Sequence, residues 1–226
     1  MKKTGKAVLA VLISAVFLIN LIPVRAKAVE ENTAYLAYAD AGWEYQYWGD
    51  PVDTGVVGTN ATITGPGQYT VGVDFTGTQK GYASGLSFTA VMIANGNINF
   101  PDYFIRIDSI VLNGEELEFR KNYTSSDNGV EMRSNIYNEW VPNLPSDART
   151  PDGDLSGATP TIVNKTKFNE VKTLTVTFTF LDPEGNATPA ATTEAAPKTG
   201  VTSTALLYGL GALATGAYIF RKKRED

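Results

Sequence analysis

The chain has 226 residues with 19 basic and 24 acidic side chains, and it contains neither cysteine nor histidine. The lack of cysteine excludes disulfides and a thiolate nucleophile, and the lack of histidine excludes histidine-based triads and the common zinc sites. Hydrolysis would therefore depend on a pair of carboxylates, and no motif singles out such a pair. The composition predicts a binding protein rather than an enzyme.

Residues 1–28 have the pattern of a signal peptide. Three lysines lie within the first six residues, an apolar run covers residues 7–24, and Ala26-Lys27-Ala28 places small residues at alternating positions. These are the charged, apolar and cleavage regions of a secretory signal. We expect cleavage after Ala28 and an extracellular location for the chain that follows.

The segment from residue 29 to residue 200 is strongly acidic. It holds 10 basic and 22 acidic residues, a net charge of −12. This charge argues against nucleic acid as a partner, because affinity for phosphates depends on lysine and arginine. It also argues against an anionic membrane surface, and it is compatible with neutral ligands and divalent cations.

Residues 32–182 make one segment of domain length, about 150 residues. Residues 183–195 predict a linker, because they are rich in alanine, threonine and proline and carry no large apolar side chain. Such a segment cannot bury enough surface to offset the entropy of ordering it. We expect one monomeric domain followed by a spacer.

The domain predicts an all-β fold, an antiparallel β-sandwich, because short alternating segments recur with turn residues between them. Residues 67–75 alternate between apolar and polar side chains, and so does the segment 173–181 as far as Phe180. A further strand is expected around Leu86, Phe88 and Met92.

A hairpin is predicted in the second half of the domain. Residues 103–111 carry apolar side chains on both faces at several positions, which indicates a central strand. Asn113-Gly114 follows as a strong tight-turn signal and leads to a partner strand at 117–119. A short helix is expected near 168–171.

This order of strands and turns resembles the carbohydrate-binding modules of the jelly-roll kind. The resemblance rests on residues 67–71, on the strand and turn at 107–114 and on the closing strand 173–181. It covers most of residues 34–181. The resemblance implies a sandwich with a ligand face or a loop site, often a structural calcium ion, and no catalysis of its own.

One predicted strand face carries side chains suited to sugars. Val130, Met132 and Ile136 share one face, and the other face reads Glu131, Arg133, Asn135, Tyr137 and Glu139. Guanidinium and amide groups hydrogen-bond hydroxyl groups, and an aromatic ring stacks on the C–H face of a sugar. An ordinary solvated outer face is the alternative interpretation.

Aromatic residues add a second piece to this site. Alternation places Trp43, Tyr45 and Tyr47 together in the core, and it places Trp48 beside Gln46 on the other face. An indole left in water without a partner suggests a ligand, although both Trp48 and Trp140 could instead cover the ends of the sandwich. The predicted carbohydrate-binding residues are Gln46, Trp48, Arg133, Asn135, Tyr137 and Trp140.

A calcium site is predicted at Asp152, Asp154 and Ser156. These oxygen ligands alternate and are followed by Gly157, as in the first half of a calcium loop. The twelfth position is Val163 rather than an acid, so Asp147 or a distant carboxylate would have to complete the site. A plain surface loop is the alternative.

The C-terminal residues 196–226 combine three features. Ala196-Pro197-Lys198-Thr199-Gly200 is followed by an uncharged apolar run at 201–220 and by a basic tail at 221–226. The run is long enough to span a bilayer, and the basic tail stays cytoplasmic. This order resembles the sorting signal (LPXTG-like) of Gram-positive proteins that sortase joins to peptidoglycan, with Ala196 where that family usually has leucine. The resemblance implies cleavage between Thr199 and Gly200.

Together these features predict a protein displayed on the cell wall that holds a polysaccharide or oligosaccharide near the bacterial surface. The alternative is a surface adhesin or structural spacer that binds a protein. A glycosidase would need two carboxylates about 5–10 Å apart across a cleft. Exposed aromatic residues favour the first interpretation, and a flat apolar or strand-edge surface favours the second.

Overall fold

The computed structural model describes residues 29–50 and 53–187. The predicted signal peptide, the sorting signal and residues 188–195 of the predicted linker lie outside the described residues. The start of that linker forms a turn, in which the Gly185 amide donates to the Asp182 carbonyl at 2.9 Å. Within the described part, no helix has the length and apolarity that a membrane crossing needs.

The described residues are mostly β-strands with very little helix. The elements in chain order are β1 (Thr33–Ala39), β2 (Gln46–Tyr47), β3 (Val57–Thr59), β4 (Ala61–Thr62), β5 (Gly67–Asp74), β6 (Phe88–Ile93), the single-turn helix α1 (Gly96–Asn99), β7 (Phe104–Leu112), β8 (Glu115–Glu116), β9 (Ser125–Asp127), β10 (Glu131–Asn138), a 3-10 helix (Lys165–Lys167) and β11 (Thr173–Leu181). The all-β prediction is confirmed at this level.

The strands form two antiparallel sheets. The first sheet has the order β2-β1-β6-β10-β9, with β4 also paired to β1, and the second has the order β3-β5-β11-β7-β8. One hydrophobic core takes side chains from both sheets. Tyr38 of the first sheet and Phe75, which follows β5, meet within it, with ring centroids 4.9 Å apart. The arrangement is that of an all-β sandwich.

The strongest strand predictions are confirmed. β11 coincides with the predicted segment 173–181, and β7 lies between β11 and β8, as expected for a strand inside its sheet. Asn113 and Gly114 both have positive φ angles, 53° and 88°, and join the paired residues Leu112 and Glu115. The predicted hairpin therefore forms, although its second strand is β8 rather than 117–119.

The short helix expected near 168–171 lies beside that segment rather than on it. A single 3-10 turn occurs just before it, at Lys165–Lys167. Phe168 and Val171 are fully buried, and Val171 exchanges two backbone hydrogen bonds with Ala83. An isolated antiparallel bridge holds this segment in place of a helix.

A bulge interrupts β10 and changes which side chains share a face. Asn135 pairs with Ala90 of β6, but the next pair is Tyr137 with Thr89, so β10 has one extra residue. Cross-strand partners share a face, and neighbouring residues of β6 point to opposite faces. Tyr137 therefore lies on the opposite side of the sheet from Asn135. This bulge separates two residues that simple alternation had placed together.

Candidate functional site

All three tryptophans of the chain meet at one end of the first sheet. Trp43 lies in the loop between β1 and β2, Trp48 directly follows β2, and Trp140 follows β10. The three indoles gather around Phe88, the first residue of β6. Centroid distances are 5.4 Å for Trp48–Phe88, 6.5 Å for Phe88–Trp140, 6.5 Å for Trp43–Trp48 and 5.7 Å for Trp43–Trp140. We call Trp43, Trp48, Phe88 and Trp140 the tryptophan cluster.

The cluster has a buried base and an exposed surface. Phe88 is buried and Trp48 is half-buried, whereas Trp43 is 46 % exposed and Trp140 is 53 % exposed. Trp43 was expected in the core with Tyr45 and Tyr47. Those two tyrosines are buried, but the expectation for Trp43 is wrong. A left-handed backbone at Trp43, with φ of 56°, breaks the alternation and turns its side chain outward.

Asp40 closes the loop that carries Trp43. Its buried carboxylate accepts a hydrogen bond from the Glu44 amide at 2.8 Å, and its carbonyl accepts one from the Trp43 amide at 3.2 Å. A positive φ is unfavourable for a bulky residue and persists only where surrounding structure imposes it. Strain of this kind concentrates at functional positions, and here it presents an exposed indole.

Gln46 joins the two tryptophans of this loop. Its side-chain oxygen accepts from the Trp48 indole nitrogen at 3.0 Å, and its side-chain nitrogen donates to the Trp43 carbonyl at 3.1 Å. The Gln46 amide donates to Asp53 at 2.8 Å. The structure thus brings Gln46 into the predicted site, where its present bonds hold the aromatic rings in place.

Arg133 also reaches the cluster. Its guanidinium carbon lies 5.5 Å from the Phe88 centroid, a favourable arrangement of a cation on a ring face. Four of the six predicted residues, Gln46, Trp48, Arg133 and Trp140, therefore lie around Phe88.

Asn135 does not face solvent, which corrects the expectation that its strand face is open. It is 1 % exposed, donates to the Tyr123 hydroxyl at 3.0 Å and accepts from Asn138 at 3.2 Å. Asn138 in turn accepts from the Trp140 amide at 3.2 Å. Asn135 belongs to a buried hydrogen-bond chain that supports the turn of Trp140, so it positions the cluster from below.

Tyr137 lies outside the tryptophan cluster, because the bulge in β10 turns it to the other side. Its hydroxyl donates to Glu139 at 2.7 Å, and the Lys165 ammonium lies 5.2 Å from its ring centroid. Burial raises the pKa of Tyr137. The ring lines a separate cavity of about 640 Å³, together with Phe119 and Ile162. The predicted site is therefore incomplete at this position.

Sequence reasoning missed the two residues that unite the cluster. Phe88 was assigned only to a strand, and Trp43 was assigned to the core. One signal was available in the sequence. The chain has only three tryptophans, so a single site could include all of them.

A lysine side chain binds two carboxylates of the predicted calcium loop. The Lys121 ammonium lies 3.0 Å from an Asp152 carboxylate oxygen and 3.3 Å from one of Asp154, and Ser156 donates to Asp154 from its amide and its hydroxyl. A hydrogen bond from Thr150, together with Lys121, lowers the pKa of Asp152 to about 2. No cluster of three or more metal-ligating acids occurs among residues 29–50 and 53–187.

Calcium at this loop stays a prediction, with Lys121 as its competitor. Lys121→Met removes the competing ammonium, so EDTA should lower the melting temperature of this variant more than that of the wild type, because calcium stabilises only the state it binds. Asp154→Ala should show no response to EDTA. A melting curve that EDTA leaves unchanged in all three proteins would make the loop a plain turn.

No family model matches this chain, and neither a curated protein nor a solved structure matches it. The fold and the tryptophan cluster therefore carry the functional argument by themselves.

Proposed function

We propose that this protein is a carbohydrate-binding module displayed on the bacterial cell surface, where it holds a polysaccharide. The observation that carries the proposal is the contact between two exposed indoles, Trp43 and Trp140, on a base formed by Trp48 and Phe88. Among the described residues, four large apolar side chains are exposed, and these two tryptophans are the pair in ring contact. Exposed apolar side chains that lie in contact with one another mark interaction sites, whereas scattered ones do not.

The chemistry of the cluster suits a sugar better than most ligands. An indole stacks on the C–H face of a pyranose, while the nearby amide of Gln46 and guanidinium of Arg133 are of the type that hydrogen-bonds hydroxyl groups. No step of bond cleavage follows from these groups. We therefore propose binding without catalysis.

The strand order supports the jelly-roll form of the sandwich. The six longest strands alternate between the two sheets in chain order: β1, β6 and β10 belong to the first sheet, and β5, β7 and β11 belong to the second. Each successive long strand therefore crosses from one sheet to the other. This alternation, rather than a chain of hairpins within each sheet, is the reason for proposing a jelly-roll.

Trp140→Ala tests the site. Polysaccharide binding should lie in the micromolar to millimolar range, roughly −4 to −8 kcal/mol, because an open surface gains little beyond stacking and hydroxyl hydrogen bonds. Loss of one stacking plane should cost about 1–2 kcal/mol, roughly tenfold in Kd. Affinity electrophoresis against a panel of polysaccharides measures this.

Ile98→Ala is the matched control, because Ile98 is 58 % exposed and apolar but lies on α1, which follows the end of β6 away from Phe88. It should bind as the wild type does. If no polysaccharide binds at millimolar concentration, the surface adhesin or spacer function takes the place of sugar binding. Equal binding by the Trp140 variant and the wild type would move the sugar site away from the cluster.

We propose that sortase links the chain to peptidoglycan through the Thr199 carbonyl, on the strength of the motif, the apolar run and the basic tail at 196–226. Thr199→Ala should block this linkage and leave the protein extractable from membranes by detergent. Muramidase should release the wild type but not the variant. Complete extraction of the wild type by detergent alone would contradict sortase processing.

A further inference from the structure

We propose that the tryptophan cluster binds a neutral sugar on one open face, and that its ligand carries no carboxylate, phosphate or sulfate group. This inference rests on the sugar-binding function proposed above and adds the chemical class of the ligand and its mode of contact. Two independent features support it, the spacing of the rings and the charges around them.

Trp43 contacts both Trp140 and Trp48, which leaves no slot for a sugar on either side of its ring. Trp43 lies 5.7 Å from Trp140 and 6.5 Å from Trp48, measured between centroids. A sugar held between two rings would need about 7–8 Å, since carbon atoms in contact lie about 3.5–4.0 Å apart. The ligand therefore stacks on the solvent side of the exposed indoles, with its C–H face toward the rings and its hydroxyl groups toward water.

The acidic residues next to the two exposed tryptophans in the chain each form an ion pair. Glu44, next to Trp43 in the chain, forms an ion pair with Lys80. Glu139, next to Trp140 in the chain, pairs with Lys165 at 3.2 Å beside the Tyr137 ring. Each pair presents no net charge to a ligand. Asp50, in the loop after β2, adds a further acidic residue at this end of the sheet.

Arg133 is the one basic side chain, among the residues that the structure describes, in contact with a ring of the cluster. Its guanidinium rests on the face of Phe88, where the ring already stabilises its charge. The described residues hold 9 basic and 21 acidic side chains, a net charge of −12. An anionic glycan would approach against this field, whereas a neutral glycan would not.

Paired polysaccharides test the ligand class. Hydroxyethyl cellulose and carboxymethyl cellulose share one backbone and differ in charge, as do dextran and dextran sulfate. The full-length chain, kept in a polyoxyethylene detergent that carries no sugar, should bind the neutral member of a pair several-fold more tightly. Its Kd should change by less than about twofold between about 20 mM and about 500 mM NaCl, because screening affects only charged partners.

Tighter binding of the anionic member, weakened by salt, would overturn the neutral ligand class while leaving sugar binding intact. If Trp140→Ala kept the same preference for the neutral polysaccharide, the sugar site would lie outside the tryptophan cluster. Binding of none of the polysaccharides would overturn the proposed function itself, and the ligand class with it.

Collisional quenching measures the charge at the cluster without any sugar. The chain has three tryptophans and all belong to the cluster, so its whole tryptophan emission reports on this site. The quenchers differ in how efficiently they quench a fully exposed indole. The quenching constant of each one is therefore divided by the constant that it gives with N-acetyltryptophanamide. We expect acrylamide to quench readily and iodide to quench no more efficiently than caesium. Iodide quenching several-fold above caesium would show a cationic site and overturn the inference.

Discussion

Trp43→Gly should fold more stably than Trp43→Ala by roughly 1–2 kcal/mol, while both variants lose polysaccharide binding. The reason is the left-handed backbone at this position, with φ of 56°. Both substitutions remove the indole, but glycine alone adopts this conformation without steric cost. Urea denaturation followed by circular dichroism measures the difference, and affinity electrophoresis measures the loss of binding, expected at tenfold or more.

Val57 offers the matched control for this pair. It is 41 % exposed and lies on β3 in the second sheet, outside the loop that carries Trp43. In a strand, glycine is the poorer residue, so Val57→Ala should be more stable than Val57→Gly by roughly 0.5–1 kcal/mol. Binding should be unaffected by either change. If Trp43→Ala proved at least as stable as Trp43→Gly, the strain at this residue would be disproved.

The parts of the fold that follow from local physics could be predicted from the sequence. Residues 173–180 alternate without interruption, and the strand that forms, β11, covers them and Leu181. A two-residue hairpin turn requires positive φ at both positions, and asparagine and glycine tolerate this best. The hairpin forms at Asn113-Gly114, as expected. In both places, the residues that decide the structure are close neighbours in the chain.

The parts that depend on distant partners could not be predicted in this way. Alternation along 131–139 puts Arg133, Asn135 and Tyr137 on one face, but the bulge after Asn135 depends on how β10 pairs with β6. All six residues of β6 are buried, so its pattern did not show which side Phe88 would take. The alternation at 43–47 holds for the two tyrosines and fails at Trp43, where Asp40 closes a loop.

The candidate site was therefore half accessible from the sequence. The residue types suited to a sugar could be picked out, and Trp48, Trp140, Gln46 and Arg133 lie together. The place where these side chains meet could not be predicted. It requires β1, β6 and β10 to lie side by side, and long segments of chain separate these strands in the sequence. Phe88 provides that meeting point, so it should be the most sensitive position of the cluster.

Phe88→Leu should disrupt the cluster and leave the domain folded. Phe88→Ala should disrupt the cluster and also unfold the domain. Phe88 is 5 % exposed, and its ring contacts Trp48, Trp140 and the guanidinium of Arg133. Truncation of a buried phenylalanine to alanine should cost about 3–5 kcal/mol, because a cavity remains. Leucine keeps most of the apolar volume and should cost less than about 1.5 kcal/mol. The leucine substitution also removes the flat ring on which the indoles of Trp48 and Trp140 stack.

The readouts separate loss of the cluster from loss of the fold. Phe88→Leu should shift the tryptophan emission to longer wavelength, reduce the near-ultraviolet circular dichroism of the indoles and weaken polysaccharide binding at least tenfold, with a cooperative melting curve retained. Phe75→Leu is the matched control, because Phe75 is fully buried but contacts Tyr38 in the core between the sheets. It should lower stability by a similar amount and leave emission and binding unchanged. Wild-type emission and binding in Phe88→Leu would show that Phe88 is ordinary core, and that the tryptophans do not depend on it as a common base.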